Sequence, residues 1–389
     1  MMKFLLSKLD GDKIIWFIVG ILSVFSILAV YSSTGTLAYR NQAGNTEYYL
    51  IKHTTIMVLG LLLMYLAHKI KYKYYSRLSQ LALFVAIPLL VITLVSGTNI
   101  NDASRWLTLP VINVTFHSSD FAKLALIIYV ARILSKKQET IKDFKSSFLP
   151  VILPVLIICG LILPTNLSTA IILFSTSVVL MFIGRLSLKY ISVMILTGVF
   201  FLGIFLVILI NSPDTGRLYT WKNRVENYAG KEGGDTYQID QSKIAIATGG
   251  VTGKLPGNSV QRNFLPQAFS DFIFAIIIEE YGLIGGTLIL LLYLILLFRG
   301  VRIAHKIPGT FGALLAAGLT FSLVFQAMIN MAVTVGLLPV TGQPLPMISM
   351  GGTSLWFTSL SIGIILSVSK HIEKPEQLQE KEGGQYVQV

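Results

Sequence analysis

Residues 257–286 read GNSVQRNFLPQAFSDFIFAIIIEEYGLIGG, and the change of character inside this stretch decides the fold. A polar, loop-like run ends at Ser270 and Asp271. A long apolar run follows at once and carries two adjacent acids, Glu279 and Glu280. A charged residue at the centre of a bilayer costs about 2.5–3.5 kcal/mol on the insertion scale. Acids at the mouth of such a run and inside it therefore mark a site that opens to one side of a membrane.

The rest of the chain agrees. Of 389 residues, 53% are hydrophobic and 13% charged, against about 25% charged in a soluble domain. Apolar runs of about 20 residues recur, which predicts an all-α integral membrane protein. The start, MMKFLLSKLDGDK, lacks a signal-peptide layout, so the first span is expected to be an uncleaved anchor. Cys159 is the one cysteine, which excludes an intrachain disulfide and a cysteine metal cluster.

About ten transmembrane helices are expected, at 13–32, 49–68, 78–97, 117–135, 147–164, 166–184, 188–211, 270–298, 309–336 and 350–369. Most of the 31 basic residues fall at alternate connections, among them Lys69, Lys71, Lys73 and Arg77, then Lys136, Lys137, Lys142 and Lys145, then Arg299, Arg302 and Lys306. The net charge of +12 thus reads as topology, with both termini cytoplasmic, and not as a nucleic-acid surface. Residues 1–372 form one membrane domain. The polar segment 373–389 is expected to be a disordered cytoplasmic tail. One large outer loop, 212–269, joins spans seven and eight. Within it Gln241–Gly250 (QSKIAIATGG) predicts a short helix ended by glycine. A second outer loop, Leu337–Ser349, is rich in proline and glycine. The chain shows no internal repeat, so an inverted-repeat transporter gains no support.

Each candidate for chemistry has a structural rival. Ser270 or Asp271 could cap a helix, a role compatible with pointing into a cleft. Of Glu279 and Glu280, one could face water and the other pair with a base. Asp120 and Lys123, at i and i+3 in FHSSDFAKLALIIYV, share a helix face and could simply neutralise each other. Arg105 beside Trp106 suits an interfacial anchor or a phosphate contact. His117 reads as a helix-end residue. Asn166 and Ser168 read as caps of a tight turn. The chain lacks HExxH, P-loop and GxSxG motifs.

Three stretches are similar to the SEDS family (FtsW/RodA) of bacterial shape and division polymerases. QSKIAIATGG, LPQAFSDFIFA and EEYGLIGG follow the family's QS-x-IAI-x-x-GG, LPE-x-HTDFIFA and EE-x-G-x-x-G. The stretch Asn330–Ser354, with GQPLPMISMGGTS at its end, follows its proline-rich loop. Arg105-Trp106 with Lys123 is the third match. GNSVQ at 257–261 and Thr341-Gly342 resemble division-type more than elongation-type members. The chain departs at Phe269, where the family has histidine. It departs again at His117-Ser118-Ser119-Asp120 for QPSE and at Thr165-Asn166-Leu167-Ser168-Thr169 for PDLGT, which removes an acid.

The resemblance implies a peptidoglycan glycosyltransferase that polymerises lipid II into β-1,4 glycan strands on the outer face of the bacterial cytoplasmic (inner) membrane, for septal wall synthesis in cell division. A lipid II flippase and a non-catalytic divisome scaffold are the alternatives. It implies Asp271 as the catalytic residue. Arg105, Asp120 and Lys123 fall on its substrate-binding positions, and Arg217, Arg224, Lys243, Glu279 and Ser349 are further candidates for substrate contacts. No cofactor is required by any visible ligand set, though a divalent cation (Mg or Mn) could assist the leaving group. Lipid II, the nascent glycan strand, a class B penicillin-binding protein and other divisome membrane proteins are the partners it implies, and nucleic acid is not.

Overall fold

A computed structural model of the chain describes residues 10–41, 45–96, 98–100, 103–109, 114–210, 221–222 and 237–385. Among the described residues a helix lies at each of the ten positions expected for spans. These are α1 (Lys13–Ser33), α2 (Thr46–Lys69), α3 (Tyr72–Ser96), α4 (Ser118–Lys136), α5 (Leu149–Ile162), α6 (Leu167–Ile183) and α7 (Leu188–Ile210), followed by α9 (Ile273–Lys306), α10 (Thr310–Thr334) and α11 (Thr353–Gln385). Between α7 and α9 lies α8 (Tyr237–Gly249). It is the helix read from QSKIAIATGG, and it ends before Gly250 at φ +56°. Seven of the described helices are long and apolar enough to cross a membrane; α6 and the Leu188–Phe200 part of α7 are shorter apolar segments.

The molecule is inside out relative to a soluble protein. Phe84 (74% exposed), Phe17 (65%) and Phe298 (64%) lie on the surface, whereas Asn330 and Glu280 are each 1% exposed. This is how a bundle sits in lipid, where polar groups must find partners within the protein. It also explains α4, which carries Asp120, Lys123 and Arg132 and is nonetheless central. The helix packs against α3, α5, α6, α10 and α11, so its charged groups are shielded from acyl chains.

Three features depart from the expectation. The connection 98–116 between the third and fourth expected spans, with His117 from the start of the fourth, holds a three-stranded antiparallel sheet of β1 (Thr98–Ile100), β2 (Ala103–Leu109) and β3 (Val114–His117). Its sequence signal is the β-branched and aromatic content of RWLTL and VTFH. Residues 373–385, expected as a disordered tail, continue α11; the segment is rich in Glu, Gln and Lys, which are good helix formers. The span read as one helix, 270–298, is broken. Gly282 has φ +69° and ψ −173° inside α9.

The break solves a length problem. The 34 residues of α9 would extend about 51 Å at 1.5 Å per residue, well beyond a hydrocarbon core of about 30 Å. Cut at Gly282, the part from Leu283 onward extends about 36 Å, which fits a modest tilt. Backbone groups freed at the cut are met by the loop after α8. Leu283 N donates to Gly250 O (2.9 Å), Ile284 N to Val251 O (3.3 Å), and Lys254 N to Glu279 O (3.0 Å). The two backbones touch. A Cβ added at Gly282 would lie 2.1 Å from Val251 O, and one at Gly249 would lie 2.2 Å from Ile278 O. The glycines of the TGG and EE-x-G motifs therefore meet at one crossing.

Candidate functional site

The site is organised by one face of α10. Ser322, Gln326, Asn330 and Thr334 recur every fourth residue and are all buried, forming a polar seam down an otherwise apolar helix. Asn330 Nδ2 donates to the carbonyls of Asp271 and Gln343, each at 2.8 Å. One turn away Gln326 Nε2 donates to Pro344 O (3.0 Å), and Gln326 Oε1 accepts from Lys123 Nζ (2.8 Å). A single amide ladder thus joins the backbone of Asp271, the proline-rich loop and the charged end of α4.

Asp271 precedes the first turn of α9 and is partly buried. Its Oδ1 accepts from the Ser270 hydroxyl (2.9 Å). The segment is pinned from the proline-rich loop as well. Ser349 Oγ donates to Ser270 O (2.6 Å) and accepts from Leu345 N (2.8 Å), and Met350 N donates to Phe269 O (3.0 Å). Ser349 therefore does meet the segment that carries Asp271, through the main chain. The loop in turn is held by Gln343, whose Nε2 donates to Thr169 Oγ1 (2.9 Å) and Asn166 Oδ1 (3.2 Å). It is also held by Ser26 Oγ donating to Ile348 O (2.7 Å), and by the Tyr293 hydroxyl donating to Pro346 O. Asn166 caps α6 by accepting from Thr169 N (3.2 Å), as its place in the tight turn predicts.

At the start of α4, Asp120 Oδ1 pairs with Lys123 Nζ (3.3 Å) and Oδ2 with His117 Nδ1 (3.2 Å). The mutual neutralisation read from the i, i+3 spacing is present, but Lys123 also reaches Gln326, so the pair is wired to the Asp271 side of the bundle. His117 is the N-cap residue of α4 and the last residue of β3, where it pairs in register with Trp106. That register sets Arg105, on β2, beside the entrance of α4; its side chain lies outside the described residues.

Glu279 is placed differently from the expectation of a substrate contact. Its carboxylate is fully buried and taken up by the chain itself. Lys254 Nζ (2.7 Å), Ser259 Oγ (2.5 Å), Val260 N (3.1 Å) and Gln261 N (3.2 Å) all donate to it. It is a clasp that folds residues 254–261 over the break in α9. The alternative in which one acid pairs with a base and the other faces water is half met. Glu279 has Lys254, but Glu280 is buried and accepts from the Ser32 hydroxyl, with Arg262 Nη1 donating to Ser32 Oγ (3.0 Å). Lys243 is exposed on α8, with its side chain against Gly336 at the end of α10. The neighbouring Ser242 Oγ donates to Thr334 O (2.7 Å), the next rung of the seam. Arg217 and Arg224 lie outside the described residues.

Gln326, Asn330, Gln343, Lys254, Ser259 and Arg262 were not singled out from sequence. The every-fourth polar pattern in α10 is a signal that could have found the first two. The loop residues have none, because their role depends on the break at Gly282. Among the described residues no group of three or more His, Cys, Asp or Glu could hold a metal ion. Asp120, a carboxylate tied to this site, is already engaged by a lysine and a histidine.

The profile of the FtsW/RodA/SpoVE cell cycle proteins matches residues 12–374. The chain belongs to this family. Stage V sporulation protein E of Bacillus subtilis is 31% identical over 376 residues, covering 94% of this chain and 98% of the relative. The probable peptidoglycan glycosyltransferase FtsW of Trichlorobacter lovleyi is 33% identical over 367 residues, covering 92% and 93%. Among solved structures, a chain of a peptidoglycan synthase complex that coordinates polymerization and crosslinking superposes with a TM-score of 0.73 at 25% identity, over 93% of this chain and 98% of that one. The rod shape determining protein RodA of Thermus thermophilus superposes with a TM-score of 0.66 at 23% identity, over 94% and 99%, and shares the fold. The long helices and the family together make this a multi-pass membrane protein.

Proposed function

We infer that the protein is a peptidoglycan glycosyltransferase that polymerises lipid II on the outer face of the cytoplasmic membrane, serving the division septum. The names of its FtsW relatives support the activity and the septal role. The observation that carries the residue assignment is the seating of Asp271. Its backbone is fixed by Asn330 and by Ser349 through Ser270, on the same α10 face that holds Lys123 one turn away.

The donor of this family is a sugar α-linked through pyrophosphate to a polyprenyl chain, and the product is β-1,4. One inverting displacement accounts for both. The acceptor 4-hydroxyl oxygen bonds to the donor C1, the C1–O bond to the pyrophosphate breaks, and the lipid pyrophosphate leaves with the electron pair. Asp271 takes the hydroxyl proton as general base. Lys123, held by Asp120 and Gln326, and Arg105 at the mouth of α4 supply positive charge for the departing pyrophosphate. Lys243, whose side chain lies against Gly336 at the end of α10, is a further candidate cation for the substrate, and the sequence adds Arg217 and Arg224 of the long loop as candidates. A class B penicillin-binding protein would crosslink the strand; the peptidoglycan synthase complex among the structural relatives supports such an assembly.

The test is purified full-length protein with its transpeptidase partner and lipid II in detergent, comparing wild type with Asp271→Asn. Glycan made by wild type and lost by at least a hundredfold in kcat (about 3 kcal/mol of barrier), with lipid II binding retained, is the expected result. Equal polymerisation by Asp271→Asn, or none by a folded wild-type complex, rejects the reading.

A further inference from the structure

Gln326 is buried in the polar seam of α10, and each end of its amide meets a partner of one kind only. Pro344 O accepts and cannot donate; the Lys123 ammonium donates and cannot accept. One orientation of the amide satisfies both, with Nε2 on Pro344 O (3.0 Å) and Oε1 on Lys123 Nζ (2.8 Å). Turned over, the amide would set its NH2 against an ammonium and its oxygen against a carbonyl, and both hydrogen bonds would be lost. The Pro344 carbonyl therefore decides that Lys123 meets an oxygen. Lys123 also pairs with Asp120 Oδ1 (3.3 Å). An ammonium carries three N–H donors in a tetrahedral arrangement, so drawing one to Gln326 and one toward Asp120 sets the direction of the third.

Pro344 belongs to a loop whose place is settled elsewhere. Gln343 is held by Thr169, Asn166 and Asn330, Pro346 O by Tyr293 and Ile348 O by Ser26. Within it Met347 has φ +64°, a left-handed backbone that a residue with a Cβ keeps only where its surroundings impose it. The same loop fixes the segment of Asp271 through Ser349 and Met350.

We propose that Gln326 is a positioning residue: its amide converts the seating of the proline-rich loop into the direction of the Lys123 ammonium. One loop then brings two charged groups into register, Asp271 through the main chain and Lys123 through Gln326. The proposal rests on the reading of Lys123 as the cation that meets the departing pyrophosphate, and it names the residue that aims it.

One arm of the experiment needs no turnover. Full-length protein in detergent is treated with a trace of acetic anhydride, and acetylation of Lys123 is followed by mass spectrometry against the exposed Lys73. Gln326→Met removes both polar ends of the amide at similar volume and should raise the Lys123 rate about tenfold. Gln343→Ala loosens the loop from α6 without touching Lys123. It should raise the rate as well, and adding it to Gln326→Met should give no further rise. The other arm uses the complex with the transpeptidase partner and lipid II. There Gln326→Met should lower kcat on the order of tenfold to a hundredfold at similar KM, and should cost nothing further in a Lys123→Gln background. Should Gln326→Met lose its fold, Gln326→Asn, one methylene too short to span both partners, tests the same link. Lys123 acetylation as in wild type, additive effects of the Gln326 and Gln343 variants, or a Gln326→Met loss that adds to Lys123→Gln overturns the proposal. Raised acetylation with kcat unchanged in both Gln326→Met and Lys123→Gln instead rejects Lys123 as the cation, and the positioning role with it.

Discussion

Replacing Glu279 by alanine should open the loop over the α9 break while leaving the rest of the bundle folded. In the native protein the carboxylate accepts from Ser259 Oγ, Val260 N and Gln261 N and pairs with Lys254. Lys254 is 30% exposed and can turn to water, so its share is discounted. Val260 is half exposed and can also turn to water, which leaves two buried donors, Ser259 Oγ and Gln261 N, each costing about 1–3 kcal/mol when unmade. Local opening of 254–261 should therefore become easier by about 2 kcal/mol or more, a factor of about thirty. Hydrogen–deuterium exchange in detergent reads this directly, at the amides of Val260 and Gln261. Glycan synthesis should fall too, because the same segment leads into Leu265, Ala268 and Phe272, which are packed together just before and after Asp271. Glu47→Ala, at an exposed helix start, is the control. Unchanged protection in Glu279→Ala, or an equal loss in Glu47→Ala, would refute the clasp.

Four further substitutions have outcomes set by what surrounds each residue. Gly282→Ala puts a Cβ 2.1 Å from Val251 O at φ +69° and should cost more than the about 1–2 kcal/mol of a left-handed residue, lowering Tm and yield. Gly20→Ala, with nothing within 4 Å of its Cβ, should be neutral or stabilising by up to about 1 kcal/mol. Asn330→Ala strips the donor from the carbonyls of Asp271 and Gln343; a loss of about 2–4 kcal/mol and a lower kcat at similar KM should appear in thermal melts and glycan assays. Asp10 accepts a hydrogen bond from Lys370, which holds its carboxyl below the usual carboxylate range. Its contribution is thus fully present above the unfolded value of 3.8 and is lost as pH falls through the lower folded value. Because Asp10 is 43% exposed, Asp10→Asn should lower Tm at neutral pH by no more than about 1 kcal/mol allows, and the difference from wild type should vanish in acid.

The amino-acid sequence determined the membrane class, the positions of the ten helices, the helix in QSKIAIATGG and the family, because these rest on local composition and on motifs contiguous in the chain. It also placed Asp271 at the head of a helix and Asp120 beside Lys123, since both are matters of spacing along one segment. The tertiary structure decided what those residues touch. Glu279 reads as a site acid in the sequence and is a clasp in the fold, because its partners lie about twenty residues earlier in the chain, in the segment that follows the loop bonded to the break at Gly282. Gln326 and Asn330 read as ordinary polar residues, and they become the link between Lys123 and Asp271 only when α10 packs between α4 and the proline-rich loop. Hydropathy registers the cost of placing a polar group in lipid; which partner offsets that cost is settled by packing between segments far apart in the chain.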